Sequence, residues 1–171
     1  MKMYLVCSLH PEVYAKFMAS EDPNNIGEAF GEDHRRLEEL RERAGSALAA
    51  GRPQEAGDAF AEFDRGLRHH ISVEEELLFP ALERDGGLRR EFGPTGVMIS
   101  EHRAIESLLD QLGRIFSGGT DAQADGAARM SELTAILEAH DAKEEMVLYP
   151  MADRVIDTAE RDSIVARIRK A

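Results

Sequence analysis

The chain has 171 residues, 43% hydrophobic and 32% charged, with a formal net charge of −12. That length suits one domain with a buried core. The acidity excludes a phosphate-neutralising surface for nucleic acid or anionic membranes, and no apolar run nears the ~20 residues of a membrane span.

The start, "MKMYLVCSLHPEVY", has only a short apolar stretch and no cleavage site, so it does not read as a secretory signal. Its Cys7 is the single cysteine, which rules out an internal disulfide and suits a reducing cytoplasm. Residues 1–24, with Pro11 and "EDPNN", read as an N-terminal extension around a short helix at 12–19. From there glycine and proline punctuate the chain near 51–53, 85–87, 93–96 and 117–120. The segments between are rich in Ala, Leu, Glu and Arg, which favour helix.

The first predicted helix, 25–50, lines up Leu37, Leu40, Ala44 and Leu48 at helical spacing. The second, 53–84, carries Ala56, Phe60, Phe63, Leu67, Ile71 and Leu78. The third, 94–116, carries Met98, Ile105, Leu108, Leu109 and Leu112. The fourth, 124–155, carries Met130, Leu133, Ile136, Leu137, Val147 and Leu148. A short fifth helix, 158–169, offers Ile164, Val165 and Ile168 to pack on one end. Short connections between long amphipathic helices predict an all-α fold, an up-down-up-down four-helix bundle over 25–155, with 156–171 as an added C-terminal helix.

The chain also repeats itself. "DHRRLEEL" at residues 33–40 matches "EHRAIESL" at 101–108, and "HHISVEEELLFPALE" at 69–83 matches "HDAKEEMVLYPMAD" at 140–153. Two copies of one helical hairpin, 25–86 and 94–155, would meet across an approximate two-fold axis. A site on that axis would receive matching residues from each half.

Four of the six histidines, His34, His70, His102 and His140, fall one per predicted helix. Each has a Glu four positions on: Glu38, Glu74, Glu106 and Glu144. Residues four apart share a helix face. One such pair is ordinarily a solvated polar pair, but His70, His102 and His140 lie beside the apolar stripe. Imidazoles and carboxylates inside a core are costly unless something satisfies them, and a metal does. Imidazole and carboxylate without thiolate suit iron, manganese or zinc. The donors exceed what one tetrahedral zinc needs, and fit two ions bridged by two Glu with two His on each.

Over about residues 26–155 these motifs resemble the hemerythrin-like, HHE cation-binding proteins. The resemblance implies a four-helix bundle around two iron ions, an oxo- or hydroxo-bridged di-iron centre. It implies His34, His70, His102 and His140 as terminal ligands and Glu74 and Glu144 as bridges. Oxygen-carrying members place a fifth His one turn after the third-helix ligand, where this chain has Glu106, and an Asp five residues after the last His, where it has Glu144 after four. Four His with two bridging Glu are more similar to di-iron proteins linked to iron-centre repair under nitric oxide or oxidative stress. The implied partner is a small diatomic or peroxide ligand. Redox chemistry on it is the first functional expectation; oxygen or iron sensing or storage is the alternative, and a purely structural bundle a third.

Further expectations attach to single residues. Glu106 joins the site set on its apolar setting, whereas Glu38 sits in a charged run read as solvated. Glu75 and Glu145, about 100° off the ligand face, are expected to be dispensable. Pro80 and Pro150 are expected to kink or end their helices, Tyr149 to serve packing, and His69 to lie at the surface or behind a ligand. Cys7 and His10 are too few to make a metal site, and Cys7 is expected to be buried.

Overall fold

Asn25 starts the first helix by accepting a hydrogen bond from the Glu28 N–H at 3.1 Å. The computed structural model describes residues 25–117 and 122–170; the expected helix at 12–19, Cys7 and His10 lie outside them. Helix α1 is Ile26–Ala49, α2 covers 53–86, α3 is Pro94–Ser117, α4 covers 122–155 and α5 is Thr158–Ile168. Among the described residues there is no strand. The boundaries fall within two residues of those predicted. The second helix runs past Arg84 until Gly87, whose φ of 65° is the left-handed conformation that closes a helix.

Helix α1 packs on α2, α2 on α3, α3 on α4, and α4 returns to α1, so the four close into a helical bundle. Asp153, near the end of α4, accepts from the Ile26 N–H at 2.7 Å and the Gly27 N–H at 3.1 Å, satisfying the otherwise unpaired first turn of α1. Gly66 allows α1 and α2 to approach, since a Cβ there would lie 2.8 Å from Leu37 Cδ2. Helix α5 is capped by Asp157 and buries Ile164, Val165 and Ile168 against the bundle end.

The core comes in two main parts along the helix axes, with a small third cluster of Ala47, Leu48 and Ala56 beside Phe116. One cluster holds Phe30, Leu78, Phe79, Leu82, Met98, Leu148, Tyr149 and the α5 residues. The other holds Leu37, Leu40, Phe60, Phe63, Leu67, Ile71, Ile105, Leu109, Leu112 and Leu133. Every helix of the bundle passes from one cluster to the other. Between them lies a layer of buried polar groups.

Helices α2 and α4 each change winding next to that layer. Pro53–Val73 gives way to a π turn over Glu74–Leu78 and resumes as Phe79–Gly86; α4 repeats this with Glu144–Leu148 and Tyr149–Val155. The Phe79 N–H bonds back to the Glu74 carbonyl and the Tyr149 N–H to the Glu144 carbonyl, five residues each. Pro80 and Pro150 therefore do not end their helices, because the wider turn absorbs each proline and winding continues. The extra residue also shifts the register. Leu148 and Tyr149 turn inward while Val147, expected in the core, is 49% exposed.

Candidate metal centre

Each bundle helix sends one histidine into the polar layer, and α2 and α4 add a glutamate each. His34, His70, Glu74, His102, His140 and Glu144 are all buried. The His34 and His70 Nε2 atoms lie 3.2 Å apart, and those of His102 and His140 3.1 Å apart. Two donors at right angles, each about 2.1 Å from one ion, would be about 3 Å apart, so both pairs have the spacing of a chelate.

The glutamates span the pairs. Glu74 Oε1 is 3.6 Å from His70 Nε2 while its Oε2 is 3.3 Å from His102 Nε2. Glu144 Oε2 is 3.5 Å from His34 Nε2 while its Oε1 is 3.0 Å from His140 Nε2. The donor atoms of Glu74, His102, His140 and Glu144 lie within 4.8 Å of one another, as do those of His34, His70 and Glu144. Glu144 thus belongs to both groups.

Among the described residues, Glu74 Oε2 and Glu144 Oε1 in this layer are buried without a directed hydrogen bond. Leaving a charged oxygen so placed is expensive, and a cation between the carboxylates and Nε2 atoms removes the cost. The donor set therefore fits metal ions.

Behind the ligands stand four more carboxylates. His34 Nδ1 bonds Glu145 Oε1 at 2.9 Å and His102 Nδ1 bonds Glu75 Oε1 at 2.8 Å. His70 Nδ1 bonds Asp33 Oδ2 at 2.9 Å and His140 Nδ1 bonds Glu101 Oε2 at 2.9 Å. Arg36 holds Asp33, Arg103 holds Glu75 and Lys143 holds Glu101. A carboxylate on Nδ1 fixes the tautomer, aims Nε2 at the centre and raises its basicity.

Charge pairing dominates the titration. Burial works against the charged form of His140, but Glu144 and Glu101 outweigh it and lift the imidazole to about 9. Burial likewise opposes, and Glu74 and Asp33 overcome it, in raising His70. Burial is also outweighed at Glu74, which His70 and His102 hold well below the usual carboxylate range.

The model of the hemerythrin HHE cation-binding domain matches residues 25–152. This chain belongs to that family. Comparison with curated proteins and with solved structures gave no match.

In this HHE domain the layer gathers His34, His70, Glu74, His102, His140 and Glu144 from the expected set, and leaves Glu106 out. The Glu106 carboxylate bonds Arg103 at 2.6 Å and is turned toward the surface. Glu38 is exposed and pairs with Arg41 at 3.5 Å. His69 donates instead to the Arg167 carbonyl at 3.1 Å, tying α2 to the end of α5.

Sequence reasoning missed three features of the HHE site. Glu75 and Glu145 are off the ligand face of their own helices, yet each reaches a histidine on a neighbouring one. Asp33 and Glu101 went unnoticed, although the repeat aligns an acid immediately before His34 and His102. Tyr149 is more than packing: its hydroxyl lies 2.8 Å from Glu74 Oε1, 3.1 Å from Glu144 Oε2 and 3.2 Å from His34 Nε2. Burial, before all else, pushes that phenol well above its ordinary range.

Proposed function

We propose that this HHE domain holds two iron ions in an up-down-up-down four-helix bundle over residues 25–155 and reacts with nitric oxide, peroxide or oxygen in the cytoplasm, in stress response or iron-centre repair. The observation that carries this reading is the pair of buried carboxylates, each with one oxygen toward one histidine pair and the other oxygen toward the second pair. Imidazole and carboxylate donors, with no thiolate among the described residues, agree with iron. Bound iron supplies one-electron redox change and a place for a small ligand.

The protein's share is electrostatic and steric. Glu74 and Glu144 offset the ions' charge and hold them together. Asp33, Glu75, Glu101 and Glu145 keep the Nδ1 protons in place, so each Nε2 remains a donor. Before metal binds, the Tyr149 hydroxyl donates its proton in a hydrogen bond to Glu74 Oε1. The two apolar clusters exclude bulk water from either side of the layer. No histidine follows His102 by one turn, and Glu106 points away, which supports reactivity over reversible oxygen carriage.

Metal analysis with Mössbauer spectroscopy of protein produced with ample iron tests the composition; two irons per chain are expected. Stopped-flow absorbance of the reduced, anaerobic protein mixed with oxygen, nitric oxide or peroxide tests the reactivity. Irreversible oxidation in air is expected. A spectral change that argon sparging reverses would make the chain a carrier or an oxygen sensor instead.

A further inference from the structure

The two halves of the repeat match in their histidines, their glutamates and the acids on each Nδ1, but differ at two positions close to the layer. Seventy residues separate the paired positions of α2 and α4, as His70 and His140 do. At that offset Tyr149 stands where the first half has Phe79, and Asp141 where it has Ile71. Both differences add oxygen, and both add it beside His34 and His70.

The Tyr149 hydroxyl lies amid the donor atoms of that half: 3.2 Å from His34 Nε2, 3.4 Å from His70 Nε2, 2.8 Å from Glu74 Oε1 and 3.1 Å from Glu144 Oε2. Asp141 Oδ1 is 4.0 Å from His34 Nε2. A cavity of about 250 Å³ between α1 and α4 reaches His34, with Asp141, Glu145 and Arg41 on its walls. At the other pair Phe79 stacks on the His102 ring, centroids 5.8 Å apart and planes 10° apart, and Ile71 belongs to the apolar cluster rather than offering an oxygen. The two carboxylate oxygens without directed hydrogen bonds, Glu74 Oε2 and Glu144 Oε1, are the ones facing this apolar-capped pair.

We propose that the two metal positions are unlike: the His34/His70 position takes the Tyr149 oxygen as an added donor, the phenol proton leaving to solvent as the ion binds, with Asp141 behind it, and binds a hard, oxygen-preferring cation first and more tightly. The His102/His140 position, with Phe79 stacked on it, has among the described residues only its two imidazoles and two carboxylate oxygens and fills second. This rests on the reading that the layer holds two ions. It concerns how they differ, not whether they are present. Harder cations prefer oxygen-rich surroundings, so iron and manganese should both follow this order.

The test is anaerobic titration of the metal-free protein with isotopically enriched iron, followed by Mössbauer spectra at one and two equivalents. Even an outer-shell partner changes metal affinity on the order of tenfold or more, and a direct donor should change it at least as much. For independent sites a tenfold difference divides the first equivalent about three to one, so one quadrupole doublet should dominate it and a second, distinct doublet should grow with the second equivalent. In Tyr149→Phe the two doublets should rise together and converge. Phe79→Tyr gives both halves a hydroxyl and should also merge the steps, which keeps the test open if Tyr149→Phe does not fold. Equal doublets in the wild type at one equivalent, or stepwise loading that survives in either variant that folds, would overturn the proposal. Fewer than two irons per chain at saturation would instead refute the two-ion reading beneath it.

Discussion

The four carboxylates behind the histidines are buried to different depths, so removing them one at a time should weaken metal binding in a set order. Asp33 is 8% exposed, Glu75 19%, Glu101 27% and Glu145 49%. Each receives one Nδ1 hydrogen bond of 2.8–2.9 Å. Losing such a partner typically costs about 10–100-fold in metal affinity, or about 1.4–2.8 kcal/mol. Water can replace an exposed partner far better than a buried one. Asp33→Ala should therefore fall near the hundredfold end, with Glu75→Ala and Glu101→Ala between. Glu145→Ala, whose partner is the most hydrated, should fall near tenfold. Competition against a chromophoric chelator at fixed pH measures each loss, and Glu76→Ala, an exposed neighbour on the same π turn, serves as the control. If Glu75→Ala keeps wild-type affinity, or if all four losses are equal, the hydrogen bonds do not position the ligands as argued.

Glu144→Ala should release both ions, because this residue belongs to both donor groups, whereas Glu106→Ala should leave metal content unchanged; elemental analysis decides both. In the metal-free protein His140 is raised from 6.5 to about 9, so its contribution to stability is complete below pH 6.5 and is lost as pH rises through 9. Thermal melts of the metal-free form should fall across that window, while metal affinity rises roughly tenfold per pH unit for each proton displaced; a flat melting profile would contradict the pairing with Glu144 and Glu101. Leu109→Ala, in the cluster away from α5, should cost about 2–5 kcal/mol in denaturant unfolding through the cavity it leaves.

Periodicity made the helices legible. Leu37, Leu40, Phe60, Phe63, Ile105 and Leu109 are all buried as their spacing indicates, and helix ends follow Asn25, Pro53 and Gly87. The repeated His and Glu likewise pointed to the layer they form. What escaped was whatever depended on a change of winding or on a neighbouring helix. Spacing arguments assume one period throughout, and the π turns at Glu74 and Glu144 break it, so a uniform period puts Val147 inside and hides the turn of Tyr149 toward the polar layer. The Glu75–His102 and Glu145–His34 bonds join different helices, so no pattern within one helix could reveal them. Glu106 shares the spacing of Glu74 and Glu144, yet Arg103, three residues before it, claims its carboxylate.

A polar layer that divides the core also governs how the molecule comes apart. Apolar packing alone makes unfolding all-or-none, because each side chain supports the next. Here the cluster near α5 and the cluster near Phe60 meet through buried imidazoles and carboxylates whose mutual support depends on charge balance. Bound ions would rivet all four helices at one level and make the two ends a single cooperative unit. With the ions withdrawn by chelation, each end becomes a separate foldon, and hydrogen exchange should show the α5 end and the opposite end opening with different free energies. Metal would then be the link that makes two half-cores behave as one.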